Sequence, residues 1–305
     1  MEMKNQMKNK TVSALLVAAA GSMWGFMGLL VRRLGAMNLS SIDVCFIRAL
    51  ITVVFMFILL LCTDRGAFKI RLRDCWCFAG TGVISVTFFN YCYFRTIMLT
   101  SLSTAAVLLY TAPVFVVLMS AVLFKEKLTK GKLAAAALAF LGCGFVSGVV
   151  GGDVRLSLSG LLCGLGAGIG YAMYSIFSRY ALARGYSSIT ISFYTFVFAL
   201  VPCFFLADKA AALTVLTSGV GSFAVTAALV LFVTLLPYLA YTKGMEGLEN
   251  GAASVIASIE PVVATLLGAV LYGERLTGQN LVGIALVLSS ILLINLGGKR
   301  KAGSS

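Results

Sequence analysis

Glu260 and Arg48 stand inside long apolar runs of this sequence, in Ala257-Ser-Ile-Glu-Pro261 and Cys45-Phe-Ile-Arg-Ala-Leu50. Counted from Gly251 as a helix, Glu260 lies ~13 Å along the axis, close to the middle of a hydrocarbon layer about 30 Å thick. An ionised carboxylate at that depth costs on the order of 2.5–3.5 kcal/mol, so it is expected to face a wet cavity, to be paired, or to carry a proton. Its chemistry would be to hold an ammonium group or to exchange a proton. The structural alternative is a carboxyl that hydrogen-bonds backbone loosened by Pro261. Arg48 lies ~9 Å into its own run. It would snorkel to the surface, capture a carboxylate, or pair with Glu260.

Around these charges the apolar runs carry residues suited to line a cavity: Trp24, Asn90, Tyr110, Tyr171, Tyr238 and Ser258, with Tyr91, Tyr93, Tyr174, Ser175, Thr234 and Tyr241 as further candidates. Tyrosine offers a stacking face and a hydroxyl at once. The four prolines, Pro113, Pro202, Pro237 and Pro261, also fall inside apolar runs. Each removes a backbone hydrogen bond, so Pro113, Pro237 and Pro261 are read as kinks that shape the cavity or act as hinges. Glycines four apart (Gly21 with Gly25, Gly144 with Gly148, Gly164 with Gly168, Gly166 with Gly170) would let helices approach closely. Glu126 and Glu274 are read as caps or ion pairs at the following helix and its loop.

Other chemistry is excluded by composition. The chain has no histidine, which removes an imidazole base, a histidine zinc site and a Ser-His-Asp triad. The eight cysteines lie mostly in apolar runs and form no CxxC pair, so they read as buried small hydrophobes rather than metal ligands. No metal, no cofactor and no ATP motif is expected. A net charge of +13 raises nucleic acid as a partner, but the basic residues flank apolar runs as topology would place them, and nucleic-acid binding is not expected.

These residues must be positioned by the runs themselves. Of 305 residues, 60% are hydrophobic and only 11% charged, against roughly a quarter charged in a soluble domain. Apolar stretches of about 20 residues without period-2 alternation predict membrane-crossing helices rather than a β-barrel. Spans are expected near 11–31, 42–63, 75–94, 101–123, 132–150, 158–178, 188–206, 219–241, 251–272 and 278–296, making an all-α integral membrane protein of ten helices. With residues 1–10 inside, inner segments hold 17 Lys and Arg and outer segments 6. That asymmetry predicts a multi-pass protein of the cytoplasmic membrane, with the tails 1–10 and 298–305 both cytoplasmic.

The chain also repeats. At an offset of 148 residues Tyr93 meets Tyr241, Pro113 meets Pro261, Glu126 meets Glu274 and Thr129 meets Thr277; at 147, Arg32 meets Arg179 and Ser40-Ser41 meet Ser187-Ser188. Two units, 11–150 and 158–297, would hold five spans each, and an odd number inverts the second in the membrane. Inverted repeats around a central site are the architecture of secondary transporters.

Here the residues resemble a known family. Pro113-Val-Phe-Val-Val-Leu through Phe124-Lys-Glu-Lys-Leu-Thr129, Glu260-Pro-Val-Val-Ala through Tyr272-Gly-Glu-Arg-Leu-Thr277, Ala20-Gly-Ser-Met-Trp-Gly25 and Arg48-Ala-Leu are similar to the EamA family of the drug/metabolite transporter superfamily. Lys125 departs from the pattern, which usually has Gly before Glu. The resemblance covers about residues 11–297. It implies a ten-helix carrier, not an enzyme, exporting amino acids, related metabolites or amphipathic compounds. Its expected partners are a small-molecule substrate and membrane lipid, and it would act as a monomer or homodimer. The rival readings are a membrane-embedded enzyme acting on lipid, for which Asp43, Asp64 and Asp74 are too dispersed, and a channel.

Overall fold

A computed structural model describes the backbone of residues 2–37, 39–100, 102–147, 157–273 and 275–302, and the side chains of those residues except 2–8, 31, 32, 35, 102, 103 and 295–302. Every regular element among the described residues is helical. The chain opens with α1 (Glu2–Gly25), α2 (Met27–Gly35) and α3 (Ser41–Thr63), then two short 3₁₀ turns, Arg65–Phe68 and Leu72–Asp74. A third crossing is built from α4 (Cys75–Ala79), a π-helical stretch (Gly80–Phe88) and α5 (Phe89–Leu99). There follow α6 (Leu102–Leu109), α7 (Ala112–Leu123), α8 (Lys130–Val146), α9 (Leu158–Ala183), α10 (Ser188–Leu206) and the short α11 (Lys209–Thr217). The last crossings comprise α12 (Val220–Val230), a second π-helical stretch (Leu231–Leu235), α13 (Leu236–Met245), α14 (Asn250–Ala257), α15 (Glu260–Tyr272) and α16 (Gly278–Ala302).

Eight helical stretches among the described residues are long and apolar enough to cross a membrane, from Asn9–Leu30 to Asn250–Tyr272. The other two expected spans fall on α8, described over 17 residues up to the undescribed stretch 148–156, and on α16, whose apolar part with described side chains is Gly278–Ile294. The boundary expected near Arg95 falls instead at Thr100, because the third crossing runs on as Leu72–Leu99. Glu274 and Arg155 lie outside the described residues.

The sequence repeat reappears as a repeat of helix ends. α14 begins and ends 148 residues after α6, Asn250 after Leu102 and Ala257 after Leu109, and α15 begins 148 residues after α7. Proline is the cause: its ring cannot tolerate the carbonyl four residues back in a continuous helix. Counting back four from Pro113 and Pro261 gives Leu109 and Ala257, the last residues of α6 and α14. Beside each break a hydroxyl bonds a carbonyl of the preceding turn, Thr111 donating to Leu108 O at 2.6 Å and Ser258 to Ser254 O at 3.3 Å. The repeated Ser40, Ser187, Thr129 and Thr277 are helix caps. Ser40 and Ser187 accept from the backbone N–H three residues on, at 3.2 Å each, and Thr129 and Thr277 do the same at 3.3 Å each.

Both third crossings widen to a π-helix at equivalent places. In the second, Pro237 stands four residues after Val233, so Leu231–Leu235 opens to clear its ring. In the first there is no proline. Gly80 and Gly82 press so close to Phe177 and to the Thr195 carbonyl that an added Cβ would lie 2.3 and 2.4 Å from them, and the Ser85 hydroxyl donates back to Gly80 O at 3.1 Å. Close approach also explains Gly21 and Gly25 against α14–α15, and Gly164 and Gly168 against Leu108 and Thr111. Gly144 does not have its expected role, since a Cβ added there would meet nothing within 4 Å, and Gly148 lies outside the described residues. Gly142, whose added Cβ would lie 2.8 Å from Val287, is the contact glycine between α8 and α16.

Lys125 marks the departure noted above. It holds φ 54°, and its repeat partner Gly273 holds φ 67°. A side chain in left-handed backbone costs about 1–2 kcal/mol, and Lys125 is exposed. Lys125→Gly is therefore expected to stabilise the protein by about 0.5–1 kcal/mol after the extra freedom of unfolded glycine is subtracted, read as a higher thermal midpoint in detergent. An unchanged or lower midpoint would contradict this account of the turn.

Candidate functional site

The breaks between α6 and α7 and between α14 and α15, the α1–α2 junction and the two π-helical crossings surround one cavity of about 530 Å³. Trp24, Arg48, Asn90, Tyr110, Tyr171, Tyr238, Glu260 and Pro261 all line it. Ser258 is not part of the wall; it is buried, and its hydroxyl stitches the α14–α15 break. Pro113 and Pro237 are also outside the lining and act through the helices they interrupt. Sequence reasoning passed over Ser85, Phe89 and Thr265, which line the cavity too. Ser85 and Thr265 look like any small polar residue in an apolar helix, and Phe89 like any core aromatic.

Glu260 is the first residue of α15, where an acidic group suits the unpaired N–H groups and dipole of a helix start. It is half-buried. Its carboxylate accepts from the Tyr171 hydroxyl at 3.1 Å rather than from backbone freed by Pro261. Arg48 is 8% exposed and does not snorkel; its Nε donates to the Thr234 hydroxyl at 2.9 Å. Thr234 belongs to the second π-helical stretch, so that irregular turn positions the guanidinium. Among the described residues Arg48 and Glu260 form no ion pair, and the terminal nitrogens of Arg48 have no other partner.

Aromatic rings join the two charges. The Trp24 indole packs on Tyr238 at 5.5 Å, Tyr241 at 5.4 Å and Tyr171 at 6.3 Å between centroids, and Phe89 packs edge-on to Tyr171 at 5.6 Å. Several lining residues are repeat partners: Trp24 with Tyr171 at offset 147, Asn90 with Tyr238 and Tyr93 with Tyr241 at 148. The partner of Glu260 is Ala112, so the acid is present once. Apolar rings with one acid and one base can hold an amphipathic molecule that carries a positive and a negative group.

The cavity reaches the helix ends at Leu39, Ser41, Ser147 and Tyr272 but stops at the opposite side. There the Ser175 and Tyr241 hydroxyls bond at 2.8 Å, and the Asn250 side chain donates to Ser175 O at 3.4 Å. Behind them Glu126 reaches from the end of α7 to the start of α14. It accepts from the Asn250 backbone N–H at 2.8 Å and from Lys132 at 3.4 Å, and Lys132 also meets Glu249 at 2.5 Å. Arg179 donates to Asn250 Oδ1 at 2.7 Å and to the Leu248 carbonyl. Glu126 thus pairs with the following helix, α8, as expected, and also caps a helix of the other half.

The model of the EamA-like transporter family matches the chain twice, over residues 11–148 and 158–296. The chain belongs to the EamA-like transporter family, and it is a multi-pass membrane transporter. An uncharacterized transporter of Archaeoglobus fulgidus is 30% identical over 204 residues, 66% of this chain and 70% of that protein. A second from the same organism is 24% identical and covers 92% of this chain and 96% of its own length. A probable terminal-alkyne amino-acid exporter of Streptantibioticus cattleyicolor is 28% identical over 66% of this chain and 67% of its own length. A crystal structure superposes with a TM-score of 0.77 at 18% identity, covering 95% of this chain and 99% of that one, which supports the fold. No finding points to the lipid-modifying enzyme.

Asn250 is fully buried, so Glu126→Ala would orphan its backbone N–H. The expected loss is about 1–3 kcal/mol, seen as a lower thermal midpoint, with Glu126→Gln closer to wild type because its amide oxygen still accepts. Equal midpoints for Glu126→Ala and wild type would show that the contact is not holding α14.

Proposed function

We propose that the chain is a ten-span exporter of the cytoplasmic membrane that moves an amphipathic metabolite or amino acid through this cavity by alternating access. Residues 11–150 and 158–297 would form the two five-span halves, inverted with respect to one another. The 17-to-6 division of basic residues supports cytoplasmic termini. With that orientation the Glu126–Asn250–Arg179 layer lies on the cytoplasmic side and the reach toward Ser147 and Tyr272 faces outward, which is the outward-facing state of the cycle.

The observation that carries the proposal is the pairing of Glu260 and Arg48 in one aromatic-walled cavity. A carboxylate in that wall holds a substrate ammonium or, after release, a proton, so that one site serves both in turn. Arg48, held at Nε by Thr234, turns its remaining donors to a substrate carboxylate. The relative named as a probable amino-acid exporter supports the same class of cargo.

The test is counterflow in proteoliposomes with a panel of amino acids, nucleosides and cationic dyes, with and without a pH gradient. Saturable exchange is expected for an amino acid, faster when the trans compartment is acidic. Glu260→Gln is expected to lose the response to the gradient together with most of the flux. Arg48→Gln should raise KM for carboxylated compounds by roughly tenfold or more, in keeping with the ~1.5–3 kcal/mol of a charged hydrogen bond, and should leave compounds lacking a carboxylate nearly unchanged. Full flux with intact pH dependence in Glu260→Gln, or no saturable flux for any class, would refute the proposal.

A further inference from the structure

The connection between the crossings Ser41–Thr63 and Leu72–Leu99 is short, irregular and rigidly seated. The Tyr194 hydroxyl donates to Phe68 O at 2.7 Å, and the Tyr186 hydroxyl accepts from the Arg71 backbone N–H at 3.0 Å while donating to Asp74 at 2.7 Å. The other oxygen of Asp74 takes Arg184 at 2.9 Å. Asp64 is turned to its own cap, accepting from Gly66 N–H at 2.9 Å. Both acids of the segment are therefore occupied. The side chains of Lys69, Arg71 and Arg73 are exposed, and their charged groups have no hydrogen-bond or ion-pair partner among the described residues.

Between the two arginines Leu72 is 89% exposed, and Trp76, one turn on, is 40% exposed beneath the Arg184 guanidinium, which lies 4.9 Å from its ring centroid. Exposed cations, a projecting leucine and an indole gather where the candidate span Leu72–Leu99 begins, the level at which headgroups meet acyl chains. Water alone would leave Leu72 uncovered; a lipid covers it and supplies the anion.

We infer that Lys69, Arg71 and Arg73, with Leu72 and Trp76, form a binding site for an anionic phospholipid. The phosphodiester and any headgroup anion meet the three cations, and the glycerol and upper acyl region cover Leu72 and the indole. The site is separate from the cavity and depends only on the loop lying at a membrane surface.

The chain has two tryptophans, so Trp24→Phe leaves Trp76 as the sole indole reporter. In that background, reconstituted into phosphatidylcholine vesicles, brominated phosphatidylglycerol is expected to quench Trp76 more strongly than brominated phosphatidylcholine at equal mole fraction. Adding Arg71→Gln and Arg73→Gln should reduce the preference by about fivefold per cation removed. Lys209→Gln, which removes one positive charge as each single arginine variant does but on a different helix, should keep it. Helical circular dichroism identifies any misfolded double variant, in which case each single variant is read instead. Equal quenching by the two lipids, an unchanged preference without the arginines, or an equal loss in Lys209→Gln would overturn the site. Abolition by millimolar inorganic phosphate would reassign it to free phosphate and overturn the lipid.

Discussion

A backbone crossing hydrocarbon cannot leave its polar groups unpaired, so a helix is interrupted only where protein or water takes up the carbonyls it frees. That constraint organises the molecule. Pro113 and Pro261 force α6 and α14 to end at Leu109 and Ala257, and the Thr111 and Ser258 hydroxyls bond carbonyls of the last turns beside those ends. The π-helical stretches answer the same demand in the third crossings. Where four irregular segments converge, helices cannot close against one another along their whole length, and the space left is the cavity.

The irregular segments also decide where the chemistry sits. The α14–α15 break puts Glu260 at a helix start, and the π-turn puts Thr234 against Arg48. Trp24 then fills the gap between them as a shared neighbour of three tyrosines. At the opposite end the two halves are fastened by ordinary polar contacts in which one backbone N–H, that of Asn250, is held by a carboxylate from across the repeat.

Much of this was legible in the residues. Length and apolarity gave the helices, the Pro, Thr and Ser coincidences gave the repeat, and depth within a span singled out Glu260 and Arg48. The meaning of the coincidences was not fully readable: Ser40, Thr129 and their partners recur because they cap helices, which needs a structure to see. The π-turn at Gly80–Phe88 left no proline to announce it, and the roles of Gly142 and Ser258 depend on which neighbour comes within reach. The partner of Glu126 on α14 is 124 residues away, a pairing that no local pattern encodes. Eight helices meet the length for a crossing among the described residues; the other two expected spans fall on α8 and α16, whose far ends border residues that are not described.

The two halves share caps, breaks and widened turns, but Ala112 occupies in one the place that Glu260 takes in the other. A molecule made of two identical halves would have end states related by symmetry and equal in free energy. This one carries Glu260 in one half where the other has Ala112, so the exchange of conformations proposed above would give chemically different end states. On that proposal the divergence of a duplicated sequence at one position would become the direction in which the protein prefers to wait.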